Sequence, residues 1–347
     1  MKKLRLGAIS FDHPHQYGWV GAALDLPMVE LVAVADTIPE QAEEAWRALP
    51  EEVAILESVD DLLARDDVDA VVICSTNAYH REHAEAALRA GKHVLLEKPL
   101  ATNLADASAL LELAAAKGLS LTPTYPCRFD PRAVDAKRRI EAGQIGRILA
   151  MHATNHLKKT PEGWFVDPLL SGGGTIMDHI VHGIDLMRWF GGREVVEIYA
   201  EAATLARPGL GVEDVAMLVL AFDGGAIGSC DPSWNRPLKS VNWGDVSVRI
   251  LGTKGALEFD LTGQYFTRTL DAGEEGGVVQ VQFGDNMNEL LMKEFAEAVL
   301  AGRKPSVTDV DGWQGVACIE AAYKSARMHR AEEVAMLPEA RGNRGAR

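Results

Sequence analysis

The chain has 347 residues, 47% hydrophobic and 24% charged, enough apolar material for two domain cores and too ordinary a charge content for a disordered protein. Fifty acidic side chains against 35 basic ones give a net charge of −15, which repels polyphosphates and anionic membranes at long range, so neither a nucleic acid nor a membrane is an expected partner. Cys74, Cys127, Cys230 and Cys318 are far apart and form no C-x-x-C pair, so they read as reduced thiols of a cytoplasmic protein and not as a disulfide frame or a zinc site.

The amino-terminal third alternates apolar runs with helical patterns. LRLGAIS (4–10) passes straight into polar FDHPHQ, unlike a signal peptide. It reads as a first buried strand, followed by VELVAVAD (29–36), DAVVICST (69–76) and KHVLLEKP (92–99). Helices are expected at 39–49, at 58–67 behind the cap candidate Ser58, at 78–92 ending on Gly91, and at 103–118 ending on Gly118. This alternation predicts an α/β fold with a doubly wound parallel sheet of the Rossmann type. No apolar run reaches the roughly 20 residues of a membrane span.

After Thr122 the pattern changes. PTYPCRFDP (123–131) carries three prolines and reads as a crossing into a second domain. A helix at 130–143 is followed by strands at 147–156, 194–206, 213–222, 226–233, 245–252, 256–260, 264–270 and 278–284, with glycine-rich hairpin turns at 223–225 and 252–255. A second α/β domain with an open, mainly antiparallel sheet is predicted, closed by helices at 286–302 and 312–329. The expected division is 1–123, 124–330 and a carboxyl-terminal segment 331–347, whose RGNRGAR end reads as a solvated tail.

In a doubly wound sheet, ligands bind beyond the carboxyl ends of the strands. There the sequence places Gly7, Ile9, Ser10 and Phe11, then Asp36, then Ser75, Thr76 and Asn77, then Glu97 and Lys98. All are candidates for holding a dinucleotide, with His80 opening the next helix near the nicotinamide ribose. A carboxylate at Asp36 accepts both ribose hydroxyls and repels a 2′-phosphate, favouring NAD over NADP. The glycine fingerprint is poor. Gly7 has no second or third glycine at the usual spacing, and the 29 positions from Gly7 to Asp36 exceed the roughly 20 expected, as though residues including His13-Pro14-His15 were inserted in the phosphate loop.

On the helix near 176–190, Asp178, His182, Asp185 and Trp189 share one arc at about 100° per residue, opposite Met177, Ile180, Val181, Ile184 and Met187. The glycines 172–174 ahead of it would let a substrate or nicotinamide approach the backbone. Six histidines (13, 15, 152, 156, 179 and 182) raise the question of a metal. His179 and His182 lack the i, i+4 spacing of a helical ligand pair, so no metal is expected.

GKHVLLEKPLATN (91–103) and the preceding CSTNAYHREHAEAALRAGKHV resemble the E-K-P region of the glucose–fructose oxidoreductase, inositol dehydrogenase and rhizopine catabolism (Gfo/Idh/MocA) family. So do SGGGTIMDHIVHGIDLMRWF (171–190), with His179 where that family has glycine, and LGTKGALEFD (251–260). Asn77 stands where proline is usual. The landmarks run from Gly7 to about Met328. The resemblance implies a nicotinamide-dependent oxidoreductase acting on a hydroxyl–carbonyl pair of a sugar, polyol or related small molecule. It implies Lys98, Asp178 and His182 as catalytic groups, with Asp178 and His182 also touching substrate, and Arg128 and Trp164 at substrate-contacting positions. Arg128 and Trp164 read equally well as salt-bridging or packing residues. A homodimer or homotetramer is expected. Two alternatives remain open: an NAD-dependent enzyme that cleaves glycosides by transient oxidation and elimination, and a non-catalytic NAD- or sugar-binding protein.

Overall fold

A computed structural model describes residues 2–36, 46–158, 161–241, 243–263, 265–270, 277–282 and 284–337. The chain divides into two units. The first comprises Met1–Pro126, Leu170–Gly172 and Asn286–Val316. Its sheet contains six strands: β1 (Leu4–Ile9), β2 (Val29–Ala35), β3 (Ala54–Leu56), β4 (Ala70–Ile73), β5 (His93–Leu96) and β6 (Leu121–Pro123). They lie in the order β3-β2-β1-β4-β5-β6, all parallel. Every residue of β4 is fully buried, as a strand covered on both faces must be. The order reverses at β1, so the connections leaving the carboxyl ends of β1 and β4 run in opposite directions along the sheet, the place where doubly wound sheets bind ligands.

Helices α1 (His15–Asp25), α2 (Val59–Leu63), α3 (His80–Arg89) and α4 (Leu104–Lys117) connect these strands. The Ser58 side chain accepts the Asp61 N–H to start α2, and Asn103 accepts the Asp106 N–H to start α4. Gly118 ends α4 in the left-handed region at φ 65°. The helix expected at 39–49 lies largely outside the described residues.

The second unit comprises Cys127–Leu169, Gly173–Asp285 and Ala317–Arg347. It opens with α5 (Pro131–Glu141) and β7 (Ile148–Leu157), followed by α6 (Thr175–Gly191) and β8 (Val195–Ala203). Strands β9 (Val215–Phe222), β10 (Ile227–Asp231), β11 (Gly244–Gly252) and β12 (Ala256–Asp260) follow, then the hairpin β13 (Tyr265–Leu270) and β14 (Gly277–Gln282). Seven strands form a sheet in the order β12-β11-β7-β10-β9-β8-β15, the last being β15 (Glu332–Glu333). Among the described residues of this sheet only the β7–β10 pair is parallel. The sheet is therefore mixed and mostly antiparallel.

Along β7, Met151, Ala153, Asn155 and Leu157 are buried and alternate with half-buried His152, Thr154 and His156. Helix α6 packs on the buried face. A Cβ on Gly183 would stand 3.0 Å from the Ala153 Cβ and 3.2 Å from the Cys230 Sγ, so the missing side chain lets helix and sheet approach. Two further helices, α7 (Met287–Leu300) and α8 (Asp309–Met328), complete the chain. Helix α7 and the start of α8 cluster with the first unit, where Trp313 donates to the Ser108 Oγ at 2.8 Å. No described helix is long and apolar enough to cross a membrane.

Candidate functional site

In the first unit, the predicted strand-end residues form a connected polar network. Asp36 is buried, and its Oδ2 accepts the Phe11 N–H at 2.6 Å, clamping β2 to the loop after β1. In that loop Ser10 is held at φ 63°, a left-handed conformation unusual for a side-chain-bearing residue, and its Oγ accepts the Asp12 N–H. Asp12 Oδ2 in turn accepts from Thr76 N at 3.3 Å and Thr76 Oγ1 at 3.2 Å, tying the loop to the end of β4. Asn77 donates to the Ser171 carbonyl at 2.9 Å. The buried His80 ring sits 2.7 Å from the Pro99 carbonyl and 3.0 Å from that of Ser75, bridging the loops after β5 and β4. Burial lowers its pKa.

Two members of the candidate set have other accounts. Ile9 is fully buried in the core of β1. A Cβ on Gly7 would lie 2.7 Å from Leu62 Cδ2 on α2, so the missing side chain at Gly7 also serves the packing of that helix.

Glu97 is fully buried. Its Oε2 accepts from Thr124 Oγ1 at 2.9 Å and Trp19 Nε1 at 3.3 Å, and its Oε1 lies 3.2 Å from His15 Nδ1. Burial alone would raise its pKa, but the basic groups around it, His15 first, outweigh that and hold it well below the carboxylate range. Lys98 is only 4% exposed, unusual for a lysine, and its main-chain N–H donates to Thr124 Oγ1 at 3.2 Å. His13, His15 and Glu97 also bring one ligand atom each within 4.8 Å of one another, a grouping that histidine spacing in the sequence does not reveal.

In the second unit, the glycine run before α6 has a physical cause different from the expected one. A Cβ on Gly173 would stand 1.9 Å from the Tyr323 hydroxyl, and one on Gly174 would stand 1.9 Å from the Glu213 carbonyl oxygen. The space that a side chain on either of these two glycines would fill is taken by the protein itself. Glu213 then caps the helix. Its carboxylate accepts the N–H groups of Gly174 at 3.1 Å and Ile176 at 2.9 Å, its carbonyl accepts that of Thr175, and its Oε1 accepts the Tyr323 hydroxyl. An anion at a helix amino terminus satisfies orphan amides and the macrodipole together. Burial nevertheless raises the Glu213 pKa.

The polar arc expected on α6 is real but does not face water. Asp185 is 2% exposed and receives both arms of the Arg128 guanidinium, with Arg128 Nε at 2.7 Å from Asp185 Oδ2. The structure thus shows Arg128 in the salt-bridging role. Trp164 stacks on Phe165 with ring centroids 3.8 Å apart. Asp178 is buried, and its Oδ2 lies 3.0 Å from Nε2 of His179. The other ring nitrogen of His179 faces the carbonyls of Asn155 and Pro232 at 2.8 and 3.0 Å. His179 therefore anchors Asp178 to the sheet. His182 is half-buried, with Nδ1 4.0 Å from Cys127 Sγ.

On the far face of the sheet, His156 lies between two carboxylates, 2.9 Å from Asp245 Oδ2 and 3.1 Å from Asp231 Oδ2. Burial lowers the His156 pKa, but the carboxylates overcome this and raise it to about 9. A raised folded-state pKa stabilises the protein fully below the unfolded histidine value of about 6.5. That contribution is lost as pH climbs through about 9. Wild-type melting temperature should therefore fall relative to His156→Gln between these limits; parallel melting curves across the range would refute the assignment.

Comparison with known proteins follows the same division. The description "Oxidoreductase family, NAD-binding Rossmann fold" matches residues 10–125, and "GFO/IDH/MocA C-terminal domain" matches residues 133–258. The chain belongs to the GFO/IDH/MocA oxidoreductase family. It is 30% identical to the 1,5-anhydro-D-fructose reductase of Ensifer adhaerens, over 80% of this chain and 83% of that protein. It is 28% identical to the myo-inositol 2-dehydrogenase of Thermotoga maritima, over 93% of this chain and 96% of that one. A solved structure of a probable dehydrogenase from Thermotoga maritima superposes with a TM-score of 0.82 at 27% identity, covering 95% and 98% of the two chains. This GFO/IDH/MocA member is thus an enzyme with an NAD-binding Rossmann domain. Its helix cap by Glu213 and Tyr323, and the anchoring of Asp178 by His179, had no local sequence signal, because each partner is distant in the chain or was assigned no role.

Proposed function

We propose that this enzyme transfers hydride between NAD and a hydroxyl–carbonyl pair of a sugar or polyol, with Lys98, Asp178 and His182 carrying the chemistry. The observation behind the assignment is that Lys98 and Asp178, at the E-K-P and D-x-x-x-H positions, are ionisable residues 4% and 9% exposed, a burial that ionisable groups adopt mostly when paired or functional. Relatives named as an inositol dehydrogenase and an anhydrofructose reductase support the substrate class.

The first unit fits a dinucleotide. Its parallel sheet reverses at β1, Asp36 stands at the end of β2, and Ser75 Oγ at the end of β4 is buried without a hydrogen-bond partner. Bound nicotinamide supplies the hydride acceptor or donor. His182 takes the hydroxyl proton on oxidation and returns it on reduction. For its Nε2 to act as base, Nδ1 must carry the proton, and the Cys127 sulfur lies 4.0 Å away on that side. Burial pushes the Cys127 thiol up to about 12, so that sulfur stays neutral. Asp178, steadied by His179, favours the protonated state of the base. Lys98 stabilises negative charge developing on the substrate oxygen.

A thermal-shift and turnover screen with NAD, NADP and a polyol and sugar panel tests the reading. NAD should raise the melting temperature, and at least one polyol or sugar should yield NADH. Absence of both would refute the reading. Preference for NAD rests on Asp36. Asp36→Ser should narrow the NAD-to-NADP affinity ratio at least about tenfold; tighter NADP than NAD binding by the wild type would overturn the assignment. A homodimer is also proposed, formed through the far face of the second sheet, where Met217, Val219 and Ile227 are each at least 50% exposed.

A further inference from the structure

We propose that Asp12 is a brake on dinucleotide binding: its carboxylate occupies the loop position that a glycine fingerprint leaves bare so that a pyrophosphate can approach. The inference rests on the dinucleotide reading above. In G-x-G-x-x-G the first glycine makes the tight turn after the strand, the second admits the pyrophosphate to the backbone, and the third lets the helix pack on the sheet. The structure fixes where that frame falls in this chain. Gly7 lies inside β1, which ends at Ile9, and the tight turn is made at Ser10, whose φ of 63° is a left-handed value that favours glycine. Counted from Ser10, the second glycine position is Asp12 and the third is His15, the first residue of α1. A charged side chain thus stands where the rule calls for none.

That side chain is fastened across the point where the strand order reverses. Asp12 is half-buried, and its Oδ2 accepts from Thr76 N at 3.3 Å and Thr76 Oγ1 at 3.2 Å, just beyond the end of β4. The next residue adds a main-chain tie, the His13 N–H donating to the Cys74 carbonyl at 3.0 Å. Three hydrogen bonds therefore join the loop after β1 to the segment after β4, between the two strand ends where doubly wound sheets take their ligands.

The main chain of the loop is committed as well. A glycine-rich loop turns successive amides towards a phosphate. Here the Phe11 N–H donates to Asp36 Oδ2 at 2.6 Å, that of Asp12 to Ser10 Oγ at 3.2 Å, and that of His13 to Cys74. A pyrophosphate entering this loop meets amides already paired and a carboxylate of its own sign. Binding then costs the Asp12–Thr76 contact and brings like charges together.

Calorimetric titration of EDTA-treated protein with NAD and with ADP-ribose tests the proposal. Asp12→Asn keeps the shape and an acceptor for Thr76 but removes the charge, whereas Asp12→Gly removes both. Asp12→Asn should bind both ligands at least about fivefold more tightly than wild type, and Asp12→Gly at least about tenfold. The advantage of Asp12→Asn should shrink as salt is added, because screening weakens a repulsion between charges and does nothing to a change of shape. Circular dichroism and melting establish that each variant is folded; should Asp12→Gly not fold, Asp12→Asn carries the test. Affinity in folded Asp12→Asn no tighter than wild type, or an advantage that salt leaves unchanged, would overturn the brake while leaving the dinucleotide reading intact. NAD binding by neither the wild type nor a variant would remove both. Magnesium that tightens NAD binding to wild type but not to Asp12→Asn would make Asp12 a cation ligand and overturn the proposal.

Discussion

His182→Ala is expected to lower turnover by about 10²–10⁴-fold, the range over which a positioned acid–base group acts, while NAD affinity stays near that of wild type. The expectation separates a catalytic role from a structural one. His182 is half-buried, and Cys127 Sγ stands a long 4.0 Å from its Nδ1, so truncation removes less packing than at a fully buried position. If it is the base, the limb of the kcat/KM profile on which rate falls with acidity should disappear in the variant. Lys98→Met should also lower turnover, but without removing that limb, since lysine stabilises charge and the proton goes elsewhere. Turnover within about threefold of wild type in both variants would sink the assignment.

Gly174→Ala is expected to destabilise the fold by roughly 2–4 kcal/mol or to prevent folding. The new Cβ would stand 1.9 Å from a main-chain oxygen and 2.9 Å from the carbon bearing it, both at Glu213. Backbone cannot rotate aside as a side chain can, so Glu213 must move and its cap on α6 is lost with it. Gly21→Ala is the matched control. Gly21 lies inside α1, where an added methyl group would meet nothing within 4 Å, and alanine there should stabilise by roughly 0.5–1 kcal/mol through helix propensity. Should Gly174→Ala not fold, Glu213→Gln tests the same cap more gently: it keeps the shape, removes the charge, and should lower the melting temperature. Unfolding by chemical denaturant measures all three. A Gly174→Ala protein as stable as wild type would show that the glycine is not required by this contact.

Much of the first unit was legible because parallel strands buried on both faces leave continuous apolar runs, and helix ends leave caps. Ser58 and Gly118 act where local chemistry placed them. The strand-end residues Asp36, Ser75, Thr76, Glu97 and Lys98 were found for the same reason, since a parallel sheet gathers its carboxyl ends. The glycine run at 172–174 was also visible, but its purpose was not. Nothing near it names Tyr323 or Glu213, and only a folded chain brings their oxygens to the missing side chains. The arc of α6 was likewise read in angle, but periodicity cannot name what meets a polar stripe, and only the folded chain sets Arg128 against Asp185.

The sequence by itself determined the two α/β units, the polar strand ends and the family, because those depend on local periodicity and on motifs that survive as short words. The tertiary structure alone decided that 286–316 clusters with the first unit, that Glu213 starts α6, that His179 anchors Asp178, and that Glu97 meets His15. Each of these pairs residues far apart in the chain, or gives one side chain a partner among several possible, and so depends on packing that no local pattern encodes.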